Sequence, residues 1–194
     1  MSQDKRPLGD AHLVETRIDG EVVFDGKLLH VRRDTVRLPD GKLGTREYIV
    51  HPGAVLIVPV LPDGRLVMLR QFRYPVDRVM IEFPAGKLDP GEAPLVTARR
   101  ELREEAGYTA TRWEAFGRVH SVVGYSTEAI EFFVAEGLTD VGAALDDGEF
   151  LEIGTMRVEE MLVALDRGEI TDAKTVAALL LYVRRLRTHQ VEGR

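Results

Sequence analysis

The sequence predicts an α/β sandwich that is preceded by a small antiparallel β-sheet. The order of elements is one reason: strand-like segments come first, then a helix, then strands again, then helices. The run 54–61 is almost entirely apolar, as in a strand that is buried on both faces. Turn signals, Asp25-Gly26 and Pro39-Asp40-Gly41, separate the earlier strands.

The composition is that of one globular domain with a small extension. The chain has 194 residues, of which 44% are apolar, and its formal net charge is −6. An acidic protein repels phosphate backbones, so we expect no nucleic-acid partner. The chain contains no cysteine, which excludes disulfides and thiolate catalysis. No apolar run is long enough to span a bilayer, so we expect a cytoplasmic protein without a membrane partner.

The chain divides into three regions. Residues 1–20 form a polar N-terminal segment, residues 21–51 an N-terminal β-sheet extension, and residues 52–190 the main domain. The strands predicted in the extension are 22–24, 28–38 and 42–50. The strands predicted in the main domain are 54–61, 66–74, 79–83, 113–119, 128–135 and 150–156. The predicted helices are 94–106, 158–165 and 173–187, the last capped by Thr171 or Asp172.

The helix 94–106 combines an apolar stripe with an acidic flank. At about 100° per residue, the stripe that faces the sheet consists of Leu95, Ala98, Leu102 and Ala106. Glu101 and Glu105 lie one turn apart beside this stripe, and Glu104 lies further toward solvent. Neighbouring carboxylates repel each other unless a cation lies between them, so the pattern favours a site for a hard divalent cation. The alternative is a solvated charged face with arginine partners.

The segment from Gly86 to Tyr108 reads Gly-x5-Glu-x7-Arg-Glu-(aliphatic)-x-Glu-Glu-x-Gly-(hydrophobic). It resembles the signature box of the Nudix hydrolases without a mismatch. The resemblance implies a Nudix-type α/β/α sandwich with a mixed sheet, and Mg²⁺ as the cofactor, with Mn²⁺ as an alternative. The metal ligands it implies are Glu101, Glu104, Glu105 and the backbone carbonyl of Ala85. Arg100 would steady a carboxylate by bidentate pairing, and Glu92 would tie the loop to the helix.

Three further segments, 46–55, 70–75 and 82–87, resemble the Nudix branch that hydrolyses ADP-ribose and related nucleoside diphosphate sugars. This resemblance implies a small nucleotide-sugar substrate and a homodimer with the N-terminal strands at its interface. The substrate-binding residues that it implies are Arg46, Arg70, Arg73, Glu82 and Tyr125. The sequence leaves open a surface ion pair for Arg70 and Arg73, a loop salt bridge for Glu82 and local packing for Tyr125.

The acidic loop 145–153 completes the predicted catalytic machinery. In the branch that the chain resembles, such a loop supplies the general base or a further metal ligand, and Glu149 matches best, with Asp147 second. If the loop stays open, Glu105 takes the proton from the attacking water instead. Bound cations would neutralise the pyrophosphate and lower the pKa of water, and Arg100 completes the set of catalytic candidates.

One segment, 120–128, departs from the branch. ADP-ribose pyrophosphatases usually read Pro-x-Pro-Gly-Phe-Ser-x-Glu here, and this chain has Ser121 and Val123 in place of the prolines. The departure favours a broader or different nucleoside diphosphate sugar. Tyr125 keeps a dinucleoside polyphosphate hydrolase as an alternative. A non-catalytic ADP-ribose-binding module is a third hypothesis, and the complete set of box carboxylates argues against it.

Overall fold

The computed structural model describes residues 9–145, 148 and 150–192, and these residues form two units. The first unit contains the chain up to His51 together with Val122–Thr127. The second contains Pro52–Ser121 and the chain from Glu128 onward. Of the helices in the described residues, none has both the length and the apolar character that crossing a lipid bilayer requires.

From residue 9 onward, the first unit contains three antiparallel strands: β1 (Thr16–Asp25), β2 (His30–Arg37) and β3 (Leu43–Ile49), in the order β1-β2-β3. β1 starts well before residue 21, where the sequence predicts the first strands, because Thr16 and Arg17 pair with the far end of β2. Among this unit's described residues, Val36 is the one buried apolar side chain. The sheet therefore has almost no core of its own.

Seven strands and three helices lie in the described residues of the second unit. The strands are β4 (Ala54–Pro59), β5 (Leu66–Arg73), β6 (Arg78–Glu82), β7 (Ala85–Lys87), β8 (Tyr108–His120), β9 (Ala129–Asp140) and β10 (Leu151–Met156). The helices are α1 (Pro94–Ala106), α2 (Val158–Asp166) and α3 (Ala173–Glu192). A mixed sheet has the order β7-β4-β9-β8, with β4 and β9 parallel, and an antiparallel sheet has the order β10-β5-β6.

Helices cover both faces of the mixed sheet, and β4 shows why. All six of its residues are buried. Val55 and Ile57 pack into the cluster that contains the apolar stripe of α1, whereas Leu56 and Val58 pack into the cluster that contains α2 and α3. The prediction of a strand buried on both faces is confirmed, and so is the α/β/α sandwich with a mixed sheet preceded by a small antiparallel sheet.

In the second unit, β7, β8 and β9 differ from the sequence prediction. Residues 84–86 look like a loop in sequence, but Ala85–Lys87 form β7, which pairs with the first half of β4. β8 and β9 are also longer than predicted, because their outer ends pair with each other from Tyr108 opposite Asp140 onward. These differences come from pairing between segments that are distant in sequence. A short or polar stretch does not reveal such pairing through an alternation of apolar and polar residues.

Candidate active site

One flank of α1 carries the acidic side chains, while its apolar stripe packs into the core. Ala98 and Leu102 are fully buried. Glu105, next to the stripe, is 6% exposed, and the side chains of Glu101 and Glu104 are 12% and 22% exposed. The exposed fraction rises with the angular distance from the buried stripe, as the helical geometry of the sequence predicts. Gly107 ends the helix in the left-handed conformation.

β7 lies directly against the acidic flank. The amide of Ala85 donates a hydrogen bond of 2.9 Å to Oε2 of Glu105. Gly86, the next residue, has an ordinary negative φ, but a Cβ atom at this position would overlap the carboxylate of Glu101. A side chain at position 86 would therefore displace the carboxylate of Glu101, and β7 and α1 meet at the carboxylates.

Arg100 lies at the centre of an ion-pair cluster on α1. Its Nη1 donates to Oε1 of Glu101 at 2.8 Å and to Oε2 of Glu104 at 3.2 Å. Its Nη2 donates to Oε2 of Glu92 at 3.1 Å. The hydrogen bond to Glu92 and the charges of the surrounding carboxylates raise the pKa of Arg100 above its usual range. Arg100 therefore stays charged and links the loop before the helix to its acidic flank.

A cavity of about 600 Å³ opens along this flank. Glu101, Glu104 and Glu105 line it together with Ala85 and Gly86. The other lining groups include Arg73 of β5, Lys174 at the start of α3, and the pair Ser121 and Glu128, whose side chains are hydrogen-bonded to each other. The lining is thus acidic along α1 and also contains four basic side chains: Lys87 and Arg100 of the box, and Arg73 and Lys174 outside it.

Glu82 forms salt bridges with both Arg73 and Lys174. It is 3% exposed and accepts hydrogen bonds from Nε and Nη2 of Arg73 at 2.7 and 2.8 Å, and Lys174 also binds it. Burial by itself would raise the pKa of Glu82, but the hydrogen bond from Arg73 and the charge of Lys174 outweigh it and hold the pKa below its ordinary value. The geometry matches the salt-bridge alternative for Glu82, and its contact with substrate stays a prediction.

The start of α3 is fixed to the same wall. Oδ2 of Asp172 accepts a hydrogen bond of 3.0 Å from the amide of Thr175, so Asp172 caps the helix. Lys174 also donates to Asp172 at 3.0 Å. Lys174, which the sequence does not indicate as a site residue, therefore lies in the cavity wall. A lysine in the first turn of a helix carries no sequence signal for a site, and only the packing of α3 reveals its position.

Arg70 does not reach the cavity. Side chains alternate along β5, so Arg70 faces away from Gln71 and Arg73, which line it. Arg70 instead donates to Glu152 of β10 at 2.5 Å. This geometry matches the surface ion pair that the sequence left open.

Arg46 and Tyr125 belong to the first unit. There, Arg46 is paired with Glu15, and both Arg46 and Tyr125 line a cavity of about 350 Å³. Glu149 and Asp147, the predicted general base and its alternative, lie outside the described residues. Of the predicted site residues, the cavity of the second unit therefore brings together the box residues and Arg73.

The donor chemistry of the cavity fits a hard divalent cation. Carboxylates and backbone carbonyls are the ligands that Mg²⁺ and related cations take. Within the described parts of the chain, no three acidic or histidine side chains converge as a ready-formed metal site. Glu101 and Glu104 contact Arg100, and Glu105 accepts from the amide of Ala85. Cation binding would therefore require these carboxylates to turn further into the cavity.

The chain is similar to known protein families, to individual proteins and to a solved structure. The family described as NUDIX domain matches residues 50–179, and the nucleoside diphosphate sugar hydrolase N-terminal domain matches residues 15–49. ADP-ribose pyrophosphatase of Bacillus subtilis is 39% identical over 169 residues, 86% of this chain and 91% of that protein. Methanol dehydrogenase activator of Bacillus methanolicus is 37% identical over 85% of this chain and 90% of its own length. A solved ADP compounds hydrolase has a TM-score of 0.81 at 25% identity, covering 90% of this chain and 95% of that one.

Proposed function

Since the chain belongs to the Nudix hydrolase family, we propose that it hydrolyses the pyrophosphate bond of ADP-ribose or a related nucleoside diphosphate sugar. The products are a nucleoside monophosphate and a sugar phosphate. The observation that carries the proposal is the acidic flank of α1, which lines a cavity together with Ala85 of β7 and with the basic side chains Arg73 and Lys174. Such a cavity has groups for both a cation and the phosphates of the substrate.

The acidic flank is the cation side of the proposed site. Glu101, Glu104 and Glu105, with the carbonyl of Ala85, would hold a divalent cation, Mg²⁺ or Mn²⁺. Such a cation neutralises pyrophosphate charge and makes water more acidic. Arg100 orients Glu101 and Glu104 through its Nη1. Either Glu105 or Glu149 accepts the proton from the attacking water.

The basic wall is the phosphate side of the proposed site. Arg73 and Lys174 are held against the cavity by their shared partner Glu82, which stays charged because its pKa is lowered. A guanidinium recognises phosphate oxygens in a plane, and an ammonium acts as a point charge. Arg73 and Lys174 would hold the phosphates while water attacks one phosphorus and the other phosphate leaves as the leaving group. No cysteine is present to form a covalent intermediate.

The proposal that the substrate is a nucleotide sugar is supported by the names of similar proteins. The B. subtilis relative is named ADP-ribose pyrophosphatase, and the N-terminal segment matches a domain of nucleoside diphosphate sugar hydrolases. Ser121, where the ADP-ribose branch usually has proline, donates to Glu128 in the cavity. Because this replaces a rigid residue with a polar one at the cavity wall, we expect activity on more than one nucleotide sugar.

A substrate panel tests the proposal. ADP-ribose, ADP-glucose, GDP-mannose and diadenosine tetraphosphate are incubated with the protein and Mg²⁺, Mn²⁺ or EDTA, and the products are separated by anion exchange. We expect metal-dependent release of a nucleoside monophosphate and a sugar phosphate. Binding of ADP-ribose without cleavage under any metal condition would support a binding module instead. Cleavage of diadenosine tetraphosphate alone would support the dinucleoside polyphosphate alternative.

We further propose a homodimer with the strands of the first unit at its interface. Ile18, Val22, Phe24 and Leu43 of this sheet are each about half exposed, and Val36 is the one apolar side chain buried among the described residues of that unit. A three-stranded sheet without a core needs a covering surface. Light scattering after gel filtration measures the mass, and a value at the 21.7 kDa of one chain would refute the homodimer.

A further inference from the structure

A buried hydroxyl contacts the ion-pair cluster from inside α1. Thr97 is fully buried, and its Oγ1 donates a hydrogen bond of 2.8 Å to Oε2 of Glu92. Thr97 occupies one of the seven unspecified positions between Glu92 and Arg100, so the sequence pattern does not single it out. A buried side-chain hydroxyl that donates to a carboxylate is costly to remove, since it leaves the charged acceptor without that donor.

Glu92 connects this hydroxyl to Arg100. Its Oε2 accepts from Thr97 and from Nη2 of Arg100 at 3.1 Å, and its Oε1 lies 3.5 Å from Nε of the same guanidinium. The hydrogen bond from Arg100, followed by that from Thr97, lowers the pKa of Glu92 below its ordinary value. Glu92 is therefore a charged acceptor held at two points on the helix.

The guanidinium of Arg100 donates both to Glu92 and to two carboxylates that line the cavity. One edge of the guanidinium, Nε and Nη2, faces Glu92, and Nη1 contacts Glu101 and Glu104. The guanidinium is a rigid plane, so the position of the first edge determines the position of Nη1. If Glu92 moved away, Arg100 would turn more of its donors onto Glu101 and Glu104. It would then compete with a cation for the same carboxylate oxygens.

We propose that Thr97 is a positioning residue that sets the cation affinity of the cavity through Glu92 and Arg100. The proposal rests on the proposed function, in which Glu101 and Glu104 bind the cation. It assigns to a buried position on the inner side of α1 an effect on groups that line the cavity. The effect is carried by two charge-assisted hydrogen-bond contacts in series, Thr97 to Glu92 and Arg100 to Glu92.

The test measures Mg²⁺ binding to the substrate-free protein by isothermal titration calorimetry. Thr97→Val keeps the shape of the side chain and removes the donor, whereas Thr97→Ser keeps the donor. We expect the dissociation constant to rise about tenfold in Thr97→Val, which is the scale of one lost hydrogen bond to a charged group. Thr97→Ser should bind Mg²⁺ as the wild type does. Thr97→Ala is a second donor-free variant in case valine disturbs folding, and it should show the same loss.

Thr155→Val is the matched control. Thr155 is partly buried on β10, and its hydroxyl accepts from Arg65 at 2.9 Å, outside the cavity. Its loss should change the melting temperature and leave Mg²⁺ affinity unchanged. If Thr97→Val and Thr97→Ala melt earlier but bind Mg²⁺ with wild-type affinity, Thr97 is only structural and the proposal fails.

Glu101→Gln distinguishes a wrong role for Thr97 from a wrong assignment of the cation site. If Glu101→Gln loses Mg²⁺ binding while the Thr97 variants retain it, the cation site stands and the role of Thr97 is refuted. If Glu101→Gln binds Mg²⁺ as tightly as the wild type, the proposed cation site is wrong, and the inference about Thr97 is overturned with it.

Discussion

The amide of Ala85 donates to the carboxylate of Glu105 over 2.9 Å, so an acidic side chain of the candidate site also joins β7 to α1. The contact holds the backbone of Ala85 next to the carboxylate of Glu105. A local change at this contact acts on both a proposed ligand and a proposed base.

Glu105→Gln should abolish metal-dependent hydrolysis while the fold remains intact. The amide oxygen of glutamine can still accept from Ala85, but the charge needed for a cation ligand or a base is lost. We expect turnover of ADP-ribose to fall at least about 100-fold, the scale of a lost acid–base group, with little change in melting temperature. Glu159→Gln on the exposed start of α2 is the control. Unchanged turnover in Glu105→Gln would remove α1 from the mechanism.

Gly86→Ala should impair the site through sterics alone. The added Cβ would overlap the carboxylate of Glu101, which must then leave its place beside Arg100. We expect the Mg²⁺ concentration for half-maximal activity to rise about tenfold or more, since a displaced ligand loses at least one strong contact. Gly154→Ala is the matched control, because its Cβ would meet open space at an ordinary φ. Equal metal dependence in the two variants would contradict the close-approach argument.

Glu82 should contribute to stability in a pH-dependent way. Its pKa is lowered in the folded protein, so its stabilising effect is fully present above the pKa of the unfolded chain, about 4.3. The effect is lost as the pH falls from there through the lower folded-state value. At pH 7, Glu82→Gln should destabilise by about 2–3 kcal/mol, below the full cost of breaking a buried pair because Arg73 is partly exposed.

Urea unfolding of the wild type and Glu82→Gln between pH 7 and pH 3 measures this dependence. The difference in the free energy of unfolding should shrink below pH 4.3 or so, as Glu82 becomes protonated in the wild type. A difference that stays constant down to pH 3 would mean that the charge of Glu82 does not stabilise the fold.

Leu102→Ala should show how much the buried apolar stripe of α1 contributes to the stability of the fold. Leu102 is fully buried in the cluster between α1 and the sheets. Loss of this side chain leaves a cavity, and we expect the free energy of unfolding to fall by about 3 kcal/mol, measured by urea denaturation. Leu180→Ala on the half-exposed side of α3 should cost much less. Equal losses in the two variants would argue that the stripe is not the main anchor of α1.

Much of the fold was predictable because it follows from local patterns. The bounds of α1, from Pro94 to Ala106, match the prediction, since a proline in the first turn and a glycine after the last are local signals. The burial of β4 on both faces was predictable from its continuous apolar run. β7 was not, because three residues with a glycine acquire strand geometry only by pairing with β4.

In the candidate site, some features follow from the sequence alone and others only from the tertiary structure. The sequence alone determined the acidic flank of α1, because helical periodicity and the spacing of its glutamates are properties of one continuous segment. Only the tertiary structure decided that Arg73 lines the cavity while Arg70 pairs with Glu152, that Glu82 is held by Arg73 and Lys174, and that Thr97 contacts Glu92. The contacts of Arg70, Arg73 and Glu82 depend on which strands and helices pack together and on which face of a strand each side chain lies. The contact of Thr97 with Glu92, five residues apart, depends on how the loop before α1 folds back onto the helix.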